Sequence, residues 1–477
     1  MSDRQVIVVI GATSLQGNGV VSALLEDSEA QWTIRGVTRD TSSPWARKFV
    51  SDYEAARERV SLISGDVYSV DSMRAALSGA YGVFLNTNQT VHGKTMINTE
   101  DLRQEVDQGR IVIDAAKYCG VKHFVYSSLP DMVKATAGRF TDIYHMDLKY
   151  EVEQYARSQL NYVTAVIPGF FYSNHFWPQY TRLQADGVVR FCAPIPGSQE
   201  IQWTDAAYDV GVFTARIFSL GVDKTAGKVY PVLSPMVSFD DIAATFTRLT
   251  GRKAVHAPLT TTEWADLTCN MLGPAFRDDV KHMMDWICVA PADKICYGAL
   301  DPDEDTSAKE LGVSASTFEG WIKRTGWTGP TEVYQSRRYI LLLQFDAMSS
   351  RQTPLLFVNS IGPTHVHGRD HDTKTNIRRH VMVEIGKDRR KPPRNPQLDI
   401  VLQFPENSNT EHAAQSESGR HNDDHRERRH VPALVRPFWN QHPLDVLESH
   451  WDMDIFSAYG IMLMLNEGRN LASTGET

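Results

Sequence analysis

The sequence predicts an α/β fold: a doubly wound parallel sheet, then a smaller α/β domain, then a partly disordered C-terminal extension. Three observations predict it. Strand-like and helix-like segments alternate through the first 165 residues. The first run, VIVVIGA (6–12), is apolar throughout, as in a strand covered on both faces. A glycine-bearing turn follows and leads directly into a helical pattern.

The elements follow in order. The stretch GNGVVSALLEDS (17–28) reads as a helix and WTIRGVTR (32–39) as a second strand. VSLISGD (60–66), YGVFLNTN (81–88), KHFVYSSL (122–129) and NYVTAVIPGFF (161–171) supply four more, with a helix over 103–119. This alternation is that of a parallel sheet with helical crossovers. Residues 1–165 are therefore assigned to the sheet domain. Residues 166–330, with helical patterns at 205–219, 238–251 and 261–287, form a smaller domain. It is expected over the carboxyl ends of the strands, where ligands bind in open α/β folds.

Composition narrows the classes. The chain has 477 residues, 42% hydrophobic and 22% charged, in the range of globular proteins. No apolar run reaches the 18 or so residues that span a bilayer, and the start lacks a secretory pattern. The expectation is a cytoplasmic or nuclear protein without membrane contact. Cys119, Cys192, Cys269, Cys288 and Cys296 form no CxxC pair, so neither a disulfide framework nor a metal site is expected. Ten of the 16 histidines and none of the cysteines lie beyond residue 330, and this shift marks a boundary near Gly329-Pro330.

The turn Gly11-Ala12-Thr13-Ser14-Leu15-Gln16-Gly17 carries the first chemistry. Gly11 suits a tight turn. Backbone N–H groups at the start of the helix suit a pyrophosphate, and Gly17 lets the helix pack close. Ser14 stands where a glycine is usual; its Cβ crowds the phosphate, while its hydroxyl offers a hydrogen bond. At the end of the second strand comes Val37-Thr38-Arg39. A guanidinium there matches a ribose 2′-phosphate, whereas an acidic residue would hold a 2′-hydroxyl. The expected cofactor is NADP(H). Asp40 follows, but one step along an extended chain turns it elsewhere.

Further motifs come in order: GATSLQG, GVTR, SGD (64–66), LNTN (85–88), VYSSL (125–129), TAGRF (136–140), His145-Met-Asp-Leu-Lys149 and PGFFYSN (168–174). On these, residues 1 to about 328 resemble the NmrA-like family of atypical short-chain dehydrogenase/reductases, and in particular its NADPH-sensing members. The resemblance implies a Rossmann-type domain with Gly11 to Gln16 on the pyrophosphate and Arg39 on the 2′-phosphate. It implies Asp66 by the adenine, and Thr87, Asn88 and Gln89 beside the riboses. Lys149 would reach the nicotinamide ribose, and Phe171, Tyr172, Ser173 and Asn174 would close over the nicotinamide. Ser173 occupies a position that is often acidic in the family. A protein partner is implied, a transcription regulator among the candidates, and a homodimer is compatible.

Catalysis in the wider superfamily uses Ser, Tyr and Lys, the last two four residues apart on one helix face. Here the residue four before Lys149 is His145. Tyr144 lies about 100° round the helix. Ser127 or Ser128 keeps the serine position. His145 reads as a structural or cofactor-side residue, with a proton shuttle as the alternative. Two functions follow: a regulatory NADP(H) sensor without hydride transfer, or an NADPH-dependent reductase of the isoflavone-reductase-like type. In the second, His145, Lys149 and Ser127 would be catalytic.

The extension 331–477 differs. Residues 404–432 are polar and expected to be disordered, and 437–468 carry amphipathic helical patterns. Residues 355–394 and 437–470 resemble a segment of fungal transcription-factor-like proteins. This implies a fungal source and a fusion, either natural or by joining two gene models. Residues 378–394 hold seven Lys/Arg against Glu384 and Asp388, read first as a solvated run, so direct nucleic-acid binding is not expected. His365, His367 and His371 lack a carboxylate cage for a metal.

Overall fold

The computed structural model describes residues 4–27, 32–90 and 94–334. The sequence expectations for the extension, including its disordered stretch, helices, histidines and basic run, lie outside the described residues.

The main sheet has seven parallel strands. Six are the predicted ones: β1 (Val6–Ile10), β2 (Thr33–Thr38), β3 (Val60–Ser64), β4 (Gly82–Leu85), β5 (His123–Ser127) and β6 (Val163–Pro168). The seventh, Val229–Val232, pairs with β6, giving the order Val229–Val232, β6, β5, β4, β1, β2, β3. Reversal of strand order beside β1 creates the crevice where such sheets bind ligands. The strands are nearly continuous apolar runs because helices cover both faces. Val8, Val83 and Phe124 pack on one side, and Ile7, Phe84 and Val125 on the other.

Three differences from the sequence reading have local causes. The seventh strand comes from the stretch assigned to the smaller domain, so the main sheet crosses the boundary set at 165. Its sequence, VYPV, is short and contains a proline, which an edge strand tolerates. The pattern 161–171 splits at Gly169, where a Cβ would lie 2.7 Å from the Gln202 carbonyl; Phe170–Phe171 then pairs with Trp203–Thr204. The pattern 261–287 is two helices, Thr261–Leu272 and Arg277–Ile287, because Gly273 and Pro274 interrupt it.

The remaining part centres on a small sheet of Thr181–Leu183, Val189–Ala193 and Ala254–Pro258. Its core is aromatic. Tyr172 stacks on Trp203 at 5.6 Å between ring centroids, and Trp264 and Trp321 are fully buried beside them. The chain remains attached past residue 330, for the Tyr334 amide donates to the Leu183 carbonyl.

Candidate functional site

The glycine turn is built as its sequence demands. Gly11 has φ +71°, and the amides of Gly11 and Ala12 both donate to the Val37 carbonyl. A Cβ on Gly17 would lie 2.2 Å from the Gly11 carbonyl oxygen, so the helix α1 (Leu15–Glu26) starts flush against the turn. Ser14 caps α1, its hydroxyl accepting from the Gly17 amide at 3.2 Å. That explains a serine where a glycine is usual. The Leu15 and Gln16 amides fall in the first turn, before any intrahelical acceptor, the place from which a helix holds an anion.

Thr13 and Thr38 hydroxyls lie 3.4 Å apart and bind the turn to the end of β2. Arg39 follows, half-buried. Asp40 is turned away as expected, its carboxylate accepting from the Ser42 hydroxyl and amide at 2.6 and 2.7 Å. Asp66 is exposed and accepts from the Tyr68 amide.

Beyond β4, Thr87 points inward rather than into the groove. Its hydroxyl donates to Glu105 at 2.6 Å and lies 2.8 Å from the Tyr126 hydroxyl. Lys149 closes this cluster, donating to the Thr87 carbonyl, the Asn86 side chain and Glu105 at 2.8, 3.2 and 2.9 Å. The Glu105 side chain is wholly buried, and its Oε2 finds no partner. Asn88 folds back on Thr90, and the Gln89 side-chain nitrogen is buried without a partner. Ser127 donates to Gln16 at 2.7 Å, tying β5 to the turn, and Ser128 is fully buried.

His145 and Lys149 share one face of the helix Tyr144–Gln159. Lys149 reaches the end of β4, so His145 stands one turn, about 6 Å, further out. Its Nδ1 lies 2.7 Å from Asp279 Oδ1. The Asp279 carboxylate, wholly buried on the helix Arg277–Ile287, also accepts the His145 amide. Burial pulls the imidazole down, but the Asp279 charge and hydrogen bond outweigh it and raise its pKa above the ordinary value. Nε2 remains to donate elsewhere.

The segment PGFFYSN changes structure midway, Phe170–Phe171 being strand and Tyr172 opening a 3-10 helix. Phe171 packs with Leu15, Ala206 and Ala207, whereas the Tyr172 ring is fully buried in the aromatic core. Tyr172 therefore offers the groove backbone, not its ring. Ser173 is buried, and Asn174 accompanies the buried Tyr180 hydroxyl. A separate cavity of about 380 Å³ lies behind this segment, lined by Phe170, Gln202, Leu233, Cys296 and Tyr297.

Glu105 and Asp279 were missed by the sequence reading. Each reads locally as an ordinary charge on an amphipathic helix, and only the tertiary fold brings it to Lys149 or His145.

A seven-stranded parallel sheet with a capped glycine turn at its switch point defines a Rossmann-type α/β protein. The profile of the NmrA-like family matches residues 3–322, and the chain belongs to that family. It is 31% identical over 338 residues to the NmrA-like family domain-containing oxidoreductase lnaB of Aspergillus flavus, covering 68% of this chain and 96% of that protein. To the oxidoreductase FrzB of Cladobotryum sp it is 28% identical, covering 64% and 90%. Among solved structures it is similar to NmrA, a negative transcriptional regulator, in complex with NAD (TM-score 0.52, 21% identity, 68% and 95% covered). The NmrA complex with NADP gives a TM-score of 0.51 at the same identity. At this identity the likeness is one of fold.

Proposed function

We propose that this protein binds NADP(H) along the carboxyl ends of β1, β2 and β4 and uses it to reduce a small carbonyl substrate. The residues fit the cofactor. The turn leaves no room for a Cβ at Gly17, the first-turn amides of α1 suit a pyrophosphate, and Arg39 suits a 2′-phosphate. The orphaned Gln89 nitrogen has the donor that a ribose or phosphate oxygen would satisfy. NmrA, which shares the fold, has been solved with NAD and with NADP, and the relatives named above are called oxidoreductases.

The observation that carries the reductase reading is the His145–Asp279 pair. An imidazole held by a buried carboxylate stays protonated toward neutral pH and can act as a general acid. It stands where related enzymes place a phenol. When bound, the reduced nicotinamide supplies a hydride to the carbonyl carbon. His145 gives its Nε2 proton to the carbonyl oxygen, leaving an alcohol, and regains a proton from solvent. Asp279 holds the ring and stabilises its charged form, while Lys149 steadies the floor of the groove through Thr87 and Asn86.

One observation favours the regulatory reading. The Lys149 ammonium is already engaged by Glu105, Thr87 and Asn86, which makes it part of the floor of the groove rather than a partner that tunes an acid. In that reading NADP(H) occupancy governs a protein partner, a transcription regulator among the candidates. NADPH consumption across aldehydes, ketones and quinones separates the two. Sustained oxidation that disappears in His145→Gln supports the reductase. NADPH binding without turnover on any of them supports the regulator.

A further inference from the structure

Two buried carboxylates lie at the junction between the strand Trp203–Thr204 and the helix Tyr208–Leu220. Asp205 accepts from Arg324 Nε at 3.0 Å and from the Tyr208 amide at 3.3 Å. Asp209 accepts from the Asp205 amide at 2.8 Å and from the Ser316 amide and hydroxyl at 3.0 and 2.6 Å. The Arg324 guanidinium also donates to the Ser316 hydroxyl, and its carbon sits 3.8 Å over the Tyr208 ring. Arg324 is on the last described helix, Phe318–Thr325, and its residue number lies past the end of the family match at 322.

This junction touches the glycine turn. Ala206 and Ala207, between the two aspartates, pack directly on Leu15 and Phe171. The backbones meet without intervening side chains: a Cβ on Gly19 would lie 1.9 Å from the Ala207 carbonyl oxygen, and one on Gly211 would lie 2.4 Å from that of Gly19. Such contacts have no slack, because protein interiors are close-packed. A shift of residues 205–208 must move α1, and the first turn of α1 presents the amides proposed for the pyrophosphate.

We propose that Arg324 is a positioning residue for the cofactor site, fixing residues 205–208 through Asp205 and thereby the first turn of α1. The inference rests on the NADP(H)-binding reading above. Burial pushes the Asp209 carboxyl up, with the Asp205 charge adding to it. Burial also raises Asp205, against the pull of Arg324. Two carboxylates this unfavourably placed rearrange when the guanidinium is withdrawn. The exposed Arg248–Glu319 pair at 2.6 Å, which ties the helix Phe239–Thr250 to the helix bearing Arg324, serves as the control.

The test is NADPH titration of the full chain by calorimetry, with ligand-free melting temperature measured in parallel. Arg324→Gln is expected to weaken NADPH binding by about tenfold or more. Arg324→Lys, which keeps a cation for Asp205, should recover most of that loss. Arg248→Gln should bind as wild type even where its melting temperature falls as far as that of Arg324→Lys. Ser316→Ala, a milder change at the same cluster, should weaken NADPH about threefold with the fold intact. It decides the matter if Arg324→Gln does not fold. Wild-type affinity in Arg324→Gln or, failing that variant, in Ser316→Ala overturns the positioning role alone. A wild-type protein that binds no NADPH overturns both this inference and the reading beneath it.

Discussion

His145 Nδ1 lies 2.7 Å from Asp279 Oδ1, a contact that joins residues 134 apart in sequence. It holds the start of the helix Tyr144–Gln159 against the helix Arg277–Ile287. Because the folded imidazole titrates above its unfolded value, the unfolded chain loses its proton first as pH rises. The stabilisation is fully present below the unfolded value, about 6.5, and is lost as pH rises through the folded one. His145→Asn should therefore cost about 1.5 kcal/mol at pH 6 and progressively less at higher pH, by urea denaturation. An equal cost at every pH would remove the charge from the interaction.

Asp279→Asn should return the imidazole toward its ordinary titration. If His145 is the acid, the alkaline limb of the rate profile should then move to lower pH, since the charged ring is lost earlier. An unmoved limb in a variant that still turns over would take His145 out of the chemistry.

Arg39→Ala should erase the preference for NADPH over NADH. A charged hydrogen bond to the 2′-phosphate is worth about 1.5–3 kcal/mol, roughly 10- to 150-fold in affinity. Titration of both cofactors measures it. Equal affinities in the native protein would refute the assignment of Arg39, which the sequence places at the end of β2 and the structure leaves half-buried there.

Local signals made the first half of the site legible. An apolar strand followed by Gly11 and Gly17 specifies the turn because each glycine answers a local steric demand. Arg39 is legible because strand β2 fixes which residue ends beside the turn. Thr87 and Tyr172 were less so, since a sequence gives their position along the chain and not the face they take. Thr87 turns in toward Glu105, and Tyr172 toward Trp203. Asp279 and Arg324 lay beyond local reasoning, their partners being over a hundred residues away. The seventh strand was obscured by its brevity and its proline.

Cofactor binding should be felt in the two segments beside the groove. Hydrogen exchange with and without NADPH should show protection of the amides in 89–101 and in PGFFYSN. The first segment has an anchor, since the Ala275 amide donates to the Met96 carbonyl at 3.1 Å, so protection should extend into the start of the helix bearing Asp279. A uniform response across the protein, or none, would count against these segments as the ones that register the cofactor.

Two buried neutral histidines lower stability in acid. Burial lowers His123 to about 4; its Nε2 lies 3.1 Å from the Thr225 hydroxyl. Burial lowers His175 to about 3 in the aromatic core, where it stacks on Trp203 at 4.9 Å. Both folded values lie below the unfolded one, so between about 6.5 and 4 these two sites bind more protons in the unfolded chain, and the stability they contribute falls as pH falls. Each unit of difference is worth about 1.4 kcal/mol, so His123 alone removes roughly 3 kcal/mol by pH 4. His145 has already given its full contribution below 6.5, whereas the buried carboxyls of Asp147, raised to about 6, and Asp209, also raised, bind protons in the folded state first and oppose the histidines over this range. The net slope from pH 7 to 4 is the difference between these opposed sets, but relative to the wild type the urea midpoints of His123→Asn, less stable at pH 7, should drop less toward pH 4. Parallel declines in the two proteins would mean that His123 is charged, or reachable by water, in the folded state.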